Sequence, residues 1–232
     1  MPRPTPGGPQ AGEPARTHAL AALRQAILSG DVAPGQRLVE EELASLLGVT
    51  RASMRAALID LTAEGLVERV PNRGARVRVV GPEEAVAITE CRIALEALCA
   101  VKAAQNVTED EAAQLRELGR SMARAVSDGN PLKYSELNRE LHRQIGVISG
   151  QSVAVGLLER LDAQIVRHQF QLALRPGRPE QSLSEHLAIV EAIVGRRPHD
   201  AELATRRHLG SVIEQLRAAG EANGSAVADA GP

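Results

Sequence analysis

The chain has 232 residues, 44% of them hydrophobic and 24% charged, with one Tyr, one Phe and no Trp; it has ample material for a core, but that core must be aliphatic. This excludes an intrinsically disordered chain. No apolar run reaches the roughly 18–20 residues that cross a bilayer, and the opening MPRPTPGGPQAGEP lacks the apolar stretch of a signal peptide, so the expected location is the cytoplasm. The length suits two small domains. Cys91 and Cys99 stand eight apart in one helical pattern, too far to bridge each other, and nothing calls for an oxidising compartment. A net charge of −2 does not advertise a nucleic-acid binder, but it is unevenly spread. Residues 1–80 hold ten arginines against eight acids, leaving seventeen basic and twenty-one acidic residues for the rest.

Residues 1–14, rich in Pro and Gly, read as a flexible arm, and residues 220–232 as a disordered tail. Between them the first helical pattern covers residues 15–29, with Leu20, Leu23, Ile27 and Leu28 on one face and Gly30 as its stop. After the turn DVAPGQ, residues 40–47 form a short helix with three acids in its first turn and Gly48 to close it. Thr50 is an N-cap for a third helix, residues 51–64, which buries Met54, Ala57, Leu58 and Leu61. Two β-branched runs, residues 66–70 and 75–80 around PNRG, predict a hairpin.

Helix, short helix, tight turn, helix and hairpin is the plan of a winged helix-turn-helix, expected over residues 15–80. The second helix of the pair sends its N-terminal residues into the major groove of double-stranded DNA. Here those are Thr50, Arg51, Ala52, Ser53 and Arg55. Arg51 and Arg55 share the face opposite the buried one, where arginine suits guanine or phosphate, and the small Ala52 and Ser53 permit close approach. A solvated face carrying two arginines would look alike, but the hairpin and the local excess of arginine argue against it. Asn72, Arg73 and Gly74 form the tip of a wing that suits a minor groove or backbone, although an ordinary turn would read similarly.

From Gly81 the strand signals vanish. Six helices are predicted: residues 82–105, 108–127 from the capping box Thr108/Glu111, 131–149 after Asn130, 152–175, one from a second capping box at Ser182/Glu185 to Gly195, and 198–219. They make an all-α antiparallel bundle over residues 81–219. Three histidines fall on its inward stripes: His142 with Ile145 and Ser149, His186 with Ile189, Val190 and Ile193, and His208 with Ala201, Ala204 and Val212. Asn138, one turn before His142, can supply an oxygen. Such a set suits a divalent first-row ion, Zn²⁺ first, with Ni²⁺ or Mn²⁺ as alternatives. A lone inward histidine is more often a packed core residue than a ligand, and three on three helices leave both readings open. His18, His168 and His199 fit no such pattern.

The stretch from Leu23 to Val77, through PGQRL, LASLLGVTR with MRAAL, and EGLV followed by PNRG, resembles the DNA-binding domain of the GntR family of bacterial regulators. The second part resembles the helical effector domain of its FadR-type (FCD) branch, through RIALE at 92–96, NRELH at 138–142, SEH at 184–186 and RRHL at 206–209. The resemblance implies a homodimer on a palindromic operator, usually a repressor, whose grip changes when a small organic acid enters the helical domain. It implies DNA contacts at Arg51, Arg55 and Gly74, a metal held by Asn138, His142, His186 and His208, and an effector carboxylate at Arg92. Asn138 is the neutral alternative where relatives carry Asp or Asn, which removes one negative charge from the shell. Arg92 can equally be a bundle residue paired with Glu96. Two other readings stand beside the regulator: a metal-dependent hydrolase using the three histidines, for which no general base is evident, and a regulator whose metal is purely structural or absent.

Overall fold

The computed structural model describes residues 10–70 and 74–228, and the chain divides into two compact units, Met1–Val80 and Gly81–Pro232. In the first, α1 (Glu13–Ser29), α2 (Glu40–Leu47) and α3 (Arg51–Ala63) accompany a sheet of β1 (Arg37–Leu38), β2 (Val67–Val70) and β3 (Gly74–Val77), in the order β1-β3-β2 and antiparallel throughout. It is a winged helix-turn-helix. The turn between α2 and α3 forms because Gly48, at φ 63°, closes α2 in the left-handed region, and Thr50 then caps α3 by accepting from the Ser53 amide at 3.2 Å. The inner face of α3, Met54, Ala57, Leu58 and Leu61, is fully buried, and α1 lays Ala15, Ala19, Leu23 and Ile27 into the same core.

Two features of this unit differ from the sequence reading. Strand β1 arises where only a turn and its flank were expected: two residues are too few to alternate visibly, but β3 offers a free edge and Leu38 is buried by pairing with it. The expected arm at residues 1–14 is structured from Gln10 onward. Gln10 donates to the Gly48 carbonyl and accepts from the Thr50 amide, each at 2.8 Å, using backbone groups that the helix-turn-helix turn leaves unpaired, and α1 starts at Glu13.

The second unit is an all-α bundle of α4 (Pro82–Asn106), α5 (Glu109–Ser127), α6 (Pro131–Ser149), α7 (Ser152–Ala173), α8 (Arg178–Val194) and α9 (Pro198–Ala228). Helix α4 runs most extensively along α9 and also packs on α6, α7 and α8. The capping box at Thr108 and Glu111 is formed in both directions, and the Asn130 side chain accepts from the Lys133 amide. Leu115, Met122, Leu141, Ile189 and Ile193 centre an aliphatic core with almost no aromatic content. The expected capping box at Ser182 and Glu185 is not one. Gly177 in the left-handed conformation and Pro179 in the first turn open α8 a turn earlier, which releases both side chains to the interior. Helix α9 also continues past residue 219, through a stretch read as a disordered tail.

Helices α1 and α3 are tied by Arg16, whose Nε and terminal nitrogen each donate to Asp60 at 2.7 Å, and by the Arg24–Glu64 pair. The Arg16 bonds hold the Asp60 carboxyl below its ordinary value against a smaller cost of burial. A depressed folded-state value means that the stabilisation is complete above the ordinary carboxylate range and fades as pH falls through the folded one. Asp60→Asn is therefore expected to lower the melting temperature of the first unit at pH 7, by a difference that shrinks as pH falls below the ordinary carboxylate range, as checked by thermal melts at descending pH.

Candidate nucleic-acid interface and metal centre

At the start of α3, Arg51 and Arg55 are more than half exposed, and Ala52 beside them is open to solvent. Ser53 is 6% exposed with its hydroxyl 3.0 Å from that of Thr50, so in the folded chain it serves the cap and is held away from the surface. Both arginines face acids from α2. Arg55 is bound by Glu40 through Nε at 3.0 Å and a terminal nitrogen at 2.8 Å, Arg69 of β2 reaches the same carboxylate at 4.0 Å, and Arg51 lies 3.7 Å from Glu41. The Arg55 bond above all holds Glu40 below its ordinary value despite partial burial. Sequence spacing gave no sign of this hub, because fifteen residues and a turn separate Glu40 from Arg55. Gly74 opens β3 at φ 83°, a conformation suited to glycine; Asn72 and Arg73 lie outside the described residues.

In the second unit, His142 of α6, His186 of α8 and His208 of α9 converge, one ligand-capable atom from each lying within 4.8 Å of the others. The Nε2 atoms of His142 and His186 are 3.2 Å apart, and the His186 and His208 ring centres 4.1 Å. Each outer nitrogen has its own partner. His142 Nδ1 lies 2.9 Å from Glu96 Oε2, His208 Nδ1 donates to Glu185 Oε2 at 2.7 Å, and His186 Nδ1 lies 3.1 Å from the Tyr134 hydroxyl and 3.3 Å from that of Ser182. A carboxylate only accepts, so His142 and His208 each keep a proton on Nδ1 and turn Nε2 inward. The hydroxyls can accept from or donate to His186 Nδ1, so its proton can sit on Nδ1 and free Nε2, or on Nε2 and be donated to His142 Nε2 at 3.2 Å. Burial above all, and then the neighbouring imidazoles, push His186 well below its ordinary value; burial also lowers His208, so both are neutral at pH 7. One turn before His142, Asn138 Oδ1 is buried with no hydrogen-bond partner. Three imidazoles whose outer nitrogens have their own partners and an orphaned amide oxygen nearby are a donor set that fits a divalent ion.

Arg92 is buried on α4 beside this cluster. One terminal nitrogen is 2.7 Å from Glu96 Oε1 and its Nε is 2.8 Å from Asp162 Oδ1 on α7, but neither approach has hydrogen-bond alignment. Burial opposes the Glu96 charge, yet Arg92 and then His142 outweigh it and hold the carboxyl down to about 2, whereas burial pushes Asp162 up. A second buried arginine, Arg178 of α8, sits 3.4 Å from Glu185 Oε2 and donates to Ser211 at 2.8 Å. The structure thus joins Arg92, Glu96, His142, His186 and His208, and adds Tyr134, Asp162, Arg178 and Glu185 to the residues singled out from sequence. The available signal for these was polar residues on inward helical stripes, i+4 from Arg92 for Glu96 and next to His186 for Glu185. His18 and His199 are exposed, and both cysteines are free.

These two units define a DNA-binding transcriptional regulator with a helical sensing domain. Comparison with known families makes the assignment specific: the model of bacterial regulatory proteins of the gntR family matches residues 15–77, and that of the FCD domain residues 87–211. The chain belongs to the GntR family and carries an FCD effector domain, and is a regulator rather than an enzyme. It is 27% identical to the HTH-type transcriptional repressor RspR of Escherichia coli K12 over 88% of this chain and 90% of that one. It is 28% identical to the HTH-type transcriptional repressor NanR of Klebsiella aerogenes, over 88% and 86%. Among solved structures, E. coli McbR/YncC superposes with a TM-score of 0.73 at 21% identity, covering 87% of this chain and 96% of the other, which supports the fold.

Because Glu40 engages the Arg55 guanidinium and adds a negative charge beside it, Glu40→Gln should release one cation towards phosphate. Non-specific duplex binding is expected to strengthen, with the slope of log affinity against log salt steeper by up to about one. An unchanged slope in a fluorescence-anisotropy salt titration would show that Glu40 does not restrain Arg55.

Proposed function

We propose that the protein is a homodimeric repressor of a palindromic operator, which it reads through Thr50, Arg51 and Arg55 in the major groove and through the wing at Asn72, Arg73 and Gly74, and that a small carboxylate bound in the FCD domain changes its grip. The repressor names of relatives at 27–28% identity support the direction of control. The observation that carries the sensing half is the meeting of three inward imidazole nitrogens from three helices beside a buried, poorly satisfied arginine. Asn138, His142, His186 and His208 would hold a divalent ion, Zn²⁺ before Ni²⁺ or Mn²⁺, since imidazole nitrogen suits the first most broadly. When bound, the ion supplies a Lewis acid that draws an anionic group.

The chain's own residues do the rest. Arg92 offers a planar cation to a carboxylate, and its present partner Asp162, with a side chain 40% exposed, is placed to give way. Glu96 stays behind with His142 and keeps the ring oriented. The effector acts on DNA binding only as far as it prefers one arrangement of the dimer over another. The two acids nearest the histidines in sequence are already engaged, Glu185 with His208 Nδ1 and Glu140 with Arg143 and Gln144.

Replacing Arg51 and Arg55 together with Ala should weaken operator binding by at least about tenfold per arginine while circular dichroism stays unchanged; operator affinity equal to that of the parent would remove the proposed reading head. Protein purified untagged and without chelator should contain about one equivalent of transition metal by elemental analysis. The His142→Ala/His186→Ala variant should contain none, and a metal-free parent that also rejects added Zn²⁺ and Ni²⁺ would return the histidines to the core.

A further inference from the structure

Asn138 leaves the three-histidine set without a single charged ligand, so an ion held there would face four neutral donors and two positive charges of its own. The structure places negative charge one step further out. Glu96 Oε2 lies 2.9 Å from His142 Nδ1 and Glu185 Oε2 accepts from His208 Nδ1 at 2.7 Å, and both side chains are about nine-tenths buried. Behind each carboxylate stands a buried arginine from the same helix as that carboxylate: Arg92 at 2.7 Å from Glu96, Arg178 at 3.4 Å from Glu185. The result is two Arg–Glu–His chains converging from different sides, while the hydrogen-bond partners of His186 Nδ1 among the described residues include the hydroxyls of Tyr134 and Ser182 and no carboxylate.

The two chains are not equivalent. Arg92 is shared with Asp162 and its contacts are misaligned, whereas Arg178 is seated by an aligned 2.8 Å bond to Ser211, which Gln181 also holds at 3.0 Å. The Glu185 chain is thus the fixed one. A carboxylate accepting from the outer nitrogen of a ligating imidazole makes its inner nitrogen a stronger donor and pins its tautomer.

We infer that Glu185 and Glu96 are positioning residues of the metal centre, which restore from outside, through His208 and His142, the negative charge that Asn138 does not bring. This rests on the metal-binding reading above and goes beyond it by stating which neighbours make a neutral ligand set sufficient. Two consequences separate it from a merely structural role. Loss of a carboxylate should weaken the ion more than it weakens the fold, and a charge returned at position 138 should compensate.

The test is competition for Zn²⁺ against a chromogenic chelator, with thermal melts of the metal-free proteins alongside, on the full chain, Glu185→Gln, Glu96→Gln, Asn138→Asp and Asn138→Asp/Glu185→Gln. Glu185→Gln should bind Zn²⁺ about 10–100-fold more weakly than the parent, Glu96→Gln should shift the same way, and the double variant should recover most of the loss. Parent-like affinity in both Gln variants overturns the inference and leaves the metal site standing. A loss that Asn138→Asp does not recover overturns the charge argument. A parent that binds no Zn²⁺ overturns the underlying reading itself. Should Glu185→Gln fail to fold, Glu96→Gln with and without Asn138→Asp decides the same question through the other chain.

Discussion

The second unit is organised around the convergence of three buried or half-buried imidazoles. Three imidazoles reach one point from α6, α8 and α9, their outer nitrogens beside Glu96, Glu185 and the hydroxyls of Tyr134 and Ser182, and their inner nitrogens close to one another. In a dry interior, lone pairs facing across about 3 Å repel unless a proton or a cation lies between them. Helix α4 bears on this point through Arg92 and Glu96, and α7 through Asp162, so five of the six helices of the bundle send a polar side chain to it or to its immediate supports. Burial of that much polarity is costly. The aliphatic core of Leu115, Met122, Leu141, Ile189 and Ile193 supplies the stability that lets the bundle carry it.

The first unit shows a milder version of the same design. Arg51 and Arg55, the arginines proposed to read DNA, are not idle in the free chain but lie against Glu41 and Glu40 of the preceding helix. Such pairs contribute little stability at an exposed position, yet they limit the orientations in which a guanidinium meets a duplex. On the proposed reading, a phosphate would have to outcompete a carboxylate that is already in place, which would favour geometry over charge alone.

Much of this was legible in the chain. The turn through Gly48 and Thr50, the capping box at Thr108, the helix start at Asn130 and the inward stripes carrying His142, His186 and His208 all express short-range rules of periodicity and capping, and these are readable in one dimension. The residues that escaped are those whose role comes from a distant partner. Glu185 sits at a capping spacing from Ser182, but Gly177 and Pro179 start the helix earlier and turn both residues inward. Strand β1 is made by the edge of β3, Gln10 by backbone left open at Gly48 and Thr50, and Asp162 acquires its role only because α7 lies against α4. Local pattern fixes which face is buried. It does not say what that face will meet.

The poverty of aromatic side chains, which makes the core aliphatic, has a practical side. Tyr134 is the only tyrosine in a chain without tryptophan, and its hydroxyl lies 3.1 Å from His186 Nδ1. Almost all absorption and emission of this protein in the near ultraviolet therefore originates at a single ring in contact with the histidine cluster. Nature has left the molecule with an intrinsic optical probe at its own centre, and changes there can be followed in unlabelled protein without background from elsewhere in the chain.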